Sequence, residues 1–129
     1  MNKIILAGLI SALMPFSAMA EGDVAAGEKI FKKCKACHAV GPKAKNRVGP
    51  LLNGIVGREA ATVEGYKYSK AMKASELTWD VETLTTYLAN PRKSVKGTKM
   101  AFAGLKKDAD LENVIAYLAQ FDPEGNIAE

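Results

Sequence analysis

The sequence predicts an all-α fold, three main helices plus long loops wrapped around one covalent cofactor, and three observations predict it. Three segments carry apolar residues at helical spacing. Two long loops rich in glycine and proline lie between them, and loops of that length are unusual in a compact domain unless something fills the space they enclose. The pentapeptide Cys34-Lys35-Ala36-Cys37-His38 holds both cysteines and the single histidine of the chain, and C-x-x-C-H is the attachment signature of c-type haem.

The elements follow in chain order. Met1 to Ala20 reads as a secretory signal peptide: Lys3 supplies the positive end, Ile4 to Met14 the apolar run, and Ala18-Met19-Ala20 the small residues read at cleavage after Ala20. The uncharged stretch is short for a spanning helix, which needs about 20 apolar residues. Residues 21–129 then form one domain. Its first helix runs from Asp23, a good N-cap, to Cys34, with Val24, Gly27, Phe31 and Cys34 on one face. Gly27 costs about 1 kcal/mol against alanine inside a helix, which suits a site where another helix comes close. The loop from Ala39 to Tyr68 follows, then a short helix near Ser69 to Ala74. The second main helix spans Asp80 to Asn90, with Val81, Leu84, Tyr87 and Leu88 on its apolar face, and Pro91 stops it. A second loop, Pro91 to Lys107, leads to the third helix, Asp108 to Phe121, whose stripe is Leu111, Val114, Ile115 and Leu118.

The chemistry of the pentapeptide explains its spacing. Thiols three positions apart lie on neighbouring turns of a helix end and reach two vinyl groups on one porphyrin edge. The adjacent histidine then sits beneath the iron and offers a ring nitrogen. Three other readings stand beside this one. A thioredoxin-like pair belongs after a strand in a βαβ pattern, and no strand alternation surrounds these cysteines. A structural zinc site needs four ligands, and Cys34, Cys37 and His38 supply at most three. A stabilising disulfide closes too short a loop to gain much. None of the three explains a lone histidine directly after the second cysteine.

Charge excludes little. The chain carries net +4; removal of the leader takes away Lys3 and leaves 17 basic against 14 acidic residues, or +3. A nucleic-acid role is a poor fit for an exported protein of such modest charge. Distribution says more: lysines and arginines from Lys32 to Arg47 and from Arg92 to Lys107 gather around the expected haem edge. The iron's second axial position is either open, for gas or peroxide chemistry, or capped by a thioether that favours electron transfer. Residues 21–129 hold two methionines, Met72 and Met100, and spacing leaves the choice between them open.

A family resemblance extends the reading. Cys34-Lys-Ala-Cys-His38, Gly49-Pro50, Gly57-Arg58, Tyr66-Lys-Tyr68, Leu77-Thr-Trp79, Tyr87-Leu88, Asn90-Pro91 and Gly97-Thr-Lys-Met100-Ala-Phe102-Ala-Gly104 together resemble the class I c-type cytochromes, over nearly all of Gly22 to Leu118. The resemblance implies the cytochrome c fold, one covalent haem c on Cys34 and Cys37, and His38 and Met100 as iron ligands. It implies that the Pro50 carbonyl accepts the far ring proton of His38. Tyr68 and Trp79 would donate to a buried propionate with Arg58 as counter-charge. Tyr87 and Thr98 would neighbour the methionine, Phe102 would shield the haem edge, and Gly27, Phe31, Tyr117 and Leu118 would form the crossing of first and last helices. Two departures stand out. Met72 takes a place where mitochondrial members usually carry asparagine near an internal water. The turn Phe31-Lys32-Lys33-Cys34 is one residue shorter than the mitochondrial version and resembles bacterial forms.

The function this implies is that of a soluble periplasmic electron carrier rather than an enzyme. It would be a monomer shuttling single electrons from a cytochrome bc-type donor to a terminal oxidase, photosynthetic reaction centre or other reductase, all membrane-bound, through a lysine-rich haem edge. The alternative is a haem protein with an open sixth site.

Overall fold

The computed structural model describes residues 22–127; the expected leader and its cleavage after Ala20 lie outside them. Five helices follow in order: α1 (Val24–Phe31), α2 (Lys70–Ala74), α3 (Val81–Ala89), α4 (Pro91–Ser94) and α5 (Asp108–Ala119). Extended pairing among the described residues is confined to two isolated antiparallel bridges, Glu59 with Thr78 and Phe121 with Ile127, so the all-α expectation is met.

The crossing of α1 and α5 is the structural base. Asp23 caps α1 by accepting from the Ala26 amide (3.0 Å), and its own amide donates to Asn113 Oδ1 on α5 (2.9 Å). Gly27 faces α5 so closely that a methyl group there would collide with the Asn113 carbonyl and the Tyr117 Cβ. The glycine lowers helix propensity and in return lets two backbones touch. Phe31, 1 % exposed, fills the angle of the crossing against Tyr117, with ring centroids 5.2 Å apart. Leu111, Val114, Ile115 and Leu118 are all buried, as their spacing predicts. Each such side chain contributes roughly 1.5–3 kcal/mol by leaving water.

Three boundaries depart from the sequence reading. α1 stops at Phe31 rather than Cys34, because the chain tightens into turns bonded three residues apart, Cys34 N–H to Phe31 O (2.8 Å) and Cys37 N–H to Cys34 O (3.1 Å). α5 ends at Ala119 rather than Phe121 in the same way, and Phe121 turns to pair with Ile127. Pro91 does not merely stop α3; it begins α4. Asn90 closes α3 and opens α4, its Oδ1 accepting from Lys93 N (3.2 Å), and proline suits the first helical position because its missing N–H would have had no partner there.

The long loops are fastened by paired hydrogen bonds. The buried Asn53 side chain both accepts from and donates to Gly41, at 2.9 Å each way. Residues 57–60 run beside 77–79, joined by Gly57 N–H to Trp79 O (2.7 Å), Trp79 N–H to Arg58 O (2.8 Å) and Ala60 N–H to Leu77 O (2.8 Å). Lys106 reaches back to donate to the Ala89 and Ala103 carbonyls (2.9 and 3.1 Å), closing the C-terminal end of α3 onto the loop that carries Met100.

Candidate haem site

The turns after α1 present Cys34 and Cys37 half-buried and unbridged, with His38 directly behind them. Burial, reinforced by the neighbouring Cys37, pushes the Cys34 thiol up to about 11, against the pull of Lys33. A redox-active dithiol needs the opposite shift, toward thiolate, so the thioredoxin-like reading loses its chemistry. Among the described residues no three of His, Cys, Asp and Glu converge as a metal-holding group, which leaves the zinc reading without a ligand set.

His38 is positioned by three contacts. Its amide donates to Cys34 O (2.9 Å), its Nδ1–H donates to Pro50 O (2.7 Å), and its ring lies flat against Gly49, where any Cβ would strike the imidazole. The Pro50 bond fixes the tautomer and leaves Nε2 unprotonated, the nitrogen that would ligate an iron. Burial lowers the pKa of the ring, with the Arg58 charge adding to the effect and the Pro50 bond opposing it. The neutral imidazole, the ligating form, is thereby favoured. Gly49 entered the sequence reading only as part of a motif; its role as the floor beneath the ring is visible in the structure alone.

Met100 lies half-buried in a small polar ring. Tyr87 Oη approaches Met100 Sδ at 3.6 Å and Thr98 Oγ1 at 2.8 Å, and the Met100 amide reaches Thr98 Oγ1 at 3.4 Å. With Tyr87 donating to sulfur, Thr98 donates to Tyr87. Burial raises the Tyr87 phenol above its ordinary value, against the Thr98 hydrogen bond, so the donor proton is retained. Met72, the other candidate, sits in α2 beside its own cap, with Ser75 Oγ donating to its carbonyl (2.7 Å) and 3.9 Å from its sulfur. Phe102 is partly buried against the core cluster.

Of the residues expected around a propionate, Arg58 and Trp79 are brought together by the pairing of 57–60 with 77–79. Arg58 Nη1 donates to Leu51 O and Asn53 O (3.2 and 3.1 Å), whereas its Nε is buried with no partner among the described residues. Burial draws the guanidinium pKa down, opposed by Tyr68. A buried cation with an orphaned N–H calls for an anion, and a carboxylate of the cofactor supplies one. The Tyr68 hydroxyl accepts from Val63 N–H (3.1 Å), which leaves its own proton for donation. Trp79, 6 % exposed, packs on Tyr87 with centroids 4.9 Å apart. The residues present therefore fit a haem: two thiols, a tautomer-fixed imidazole, a thioether, and a guanidinium with one buried N–H unpaired among the described residues.

Comparison with known proteins supports the same class. Residues 24–122 match the family model described as Cytochrome c. The chain is 53% identical over 106 residues to "Cytochrome c-550" of Nitrobacter winogradskyi, covering 82% of this chain and 97% of that one. It is 53% identical over 105 residues to "Cytochrome c2" of Rhodoblastus acidophilus, covering 81% and 98%. The solved structure of cytochrome c2 from Rhodospirillum Centenum superposes with a TM-score of 0.73 at 42% identity, over 79% of this chain and all of that one.

Proposed function

This chain belongs to the cytochrome c family, whose members carry one covalent haem c, and from that premise we propose that it is a one-electron carrier of the bacterial periplasm. Cys34 and Cys37 would hold the haem through thioethers, and His38 and Met100 would ligate its iron. Bound there, the haem supplies a one-electron Fe(III)/Fe(II) couple. The protein's part is to hold both ligands still and to keep water from the iron. Pro50 and Gly49 fix the imidazole on one side. On the other, Tyr87 and Thr98 hold the methionine, with Trp79 behind Tyr87 and Phe102 packed against the core nearby in the chain. A thioether cap in a buried site favours Fe(II) and raises the potential.

The observation that carries the reading is the Tyr87–Thr98–Met100 ring, because an open-site haem protein has no use for two residues that hold a thioether in place. Partners are membrane-bound redox complexes, a cytochrome bc-type donor and an oxidase, reaction centre or other reductase as acceptor. The basic rim steers the haem edge toward acidic partner surfaces, raising association rates by about 10- to 1,000-fold at low salt. Redox encounters of this kind bury less than about 1,200 Å². Absorption spectra of the ferric holoprotein test the ligand set. A methionine–iron charge-transfer band, lost in Met100→Ala, is the expected result. Prompt binding of carbon monoxide by the reduced native protein would instead assign an open sixth site.

A further inference from the structure

Lys99 precedes the candidate ligand Met100, is exposed, and on charge alone belongs to the steering rim. Its surroundings give it another task. Its ammonium donates to the Lys67 carbonyl (2.6 Å) and lies 5.1 Å from the centre of the Tyr66 ring. That ring stands edge-on to Tyr68 at 4.8 Å. The Tyr66 hydroxyl donates to Val48 O (2.7 Å), on the other side of the site. Val48 adjoins Gly49, whose amide donates to Cys37 O (2.8 Å) and whose face supports the His38 ring. A continuous path of side-chain and main-chain contacts thus runs from Met100 through Lys99, Tyr66 and Val48 to His38, bypassing the cofactor.

We propose that Lys99 and Tyr66 form a latch joining the methionine-bearing loop to the histidine-bearing loop, and that this latch governs how readily Met100 leaves the iron. The proposal rests on the His38/Met100 reading. Both latch residues are positioning residues. The lysine, though exposed, sets its head against one carbonyl and one aromatic face, a geometry in which the charge is held in place. Because two contacts in series fail together, removal of either should release the loop about as much as removal of both.

Imidazole, a neutral competitor for the sixth position, measures that release in the ferric holoprotein. The starting protein must show the methionine–iron band; its absence overturns the ligand reading itself, and the latch with it, before any variant is made. Lys99→Ala and Tyr66→Phe should each tighten imidazole binding about tenfold, the equivalent of one good hydrogen bond. The double variant should bind no more than about tenfold tighter than the parent. Lys99→Arg, which keeps the charge and the donors, should bind as the parent does. Hydrogen exchange supplies a readout that a local packing role would not move: in Lys99→Ala the Gly49 amide should exchange faster, although it lies in the opposite loop. Additive effects near 100-fold, unchanged imidazole affinity in both single variants, or an unmoved Gly49 amide overturns the latch.

Discussion

The α1–α5 crossing and the crevice loops are held together by different physics. In the crossing, Gly27, Phe31, Val114, Ile115 and Leu118 bring two helices into direct contact, and most of the stabilisation comes from apolar burial. In the crevice, residues 39–68 and 97–106 are fastened by hydrogen bonds to main-chain carbonyls from Asn53, Arg58, Tyr66, Lys99 and Lys106, and Arg58 Nε stays buried without a partner among the described residues. One region is complete in its own residues; the other is a mould. A chain this small buries only a modest share of its surface alone, so the mould depends on what is cast in it.

The hardest test of that contrast is to prevent haem attachment with Cys34→Ser and Cys37→Ser. We expect the largest effect of any change considered: thermal unfolding loses its sharp cooperative step, because the crevice walls lose their common packing partner. A transition as sharp and as high as that of the holoprotein would show the loops to be self-supporting. Glycine substitutions sharpen the comparison. Gly27→Val drives a side chain into the Asn113 backbone and should cost about 3 kcal/mol in holoprotein stability. Gly57→Ala has open space around it and a φ of +92°, so only backbone strain of about 1–2 kcal/mol applies. Equal losses from the two, measured by denaturant midpoints, would contradict the division. The smallest expected effect concerns pH. The Thr83 amide holds the Asp80 carboxyl below its ordinary value of 3.8. A depressed folded pKa means that the capping contribution is fully present above about pH 4 and is lost as pH falls through the folded value. Asp80→Asn, which still caps, should flatten the acid limb of stability below pH 4 while leaving neutral stability nearly unchanged; an acid limb as steep as the parent's would reject the assignment.

The two regions were also unequally legible in the sequence. Helices whose faces repeat every three or four residues announce themselves: Asp23, Ser69 and Asp80 cap α1, α2 and α3 as their residue types suggest. The proposed attachment site was legible because all of it is local, five consecutive residues. The crevice was not, because its fastenings have no period. Nothing in the spacing of Gly41 and Asn53 foretells their two-way bond, and the pairing that sets Arg58 beside Trp79 spans some twenty residues of irregular chain. The contact of Pro50 with His38 came from family resemblance and stands in the structure at 2.7 Å. The turn of α4 was missed because Pro91 signals both an ending and a beginning, and only the shared cap Asn90 distinguishes them.

The tie from Lys106 to Ala89 and Ala103 has a consequence for footprinting with amine reagents. Acylating an outward lysine such as Lys32 would slow a partner's approach and leave the fold alone. Acylating Lys106 would cut a main-chain staple and loosen the segment behind it. Reactivity maps of such a surface would merge two kinds of damage under one label, and only those lysines whose modification leaves the visible spectrum untouched would trace the contact face.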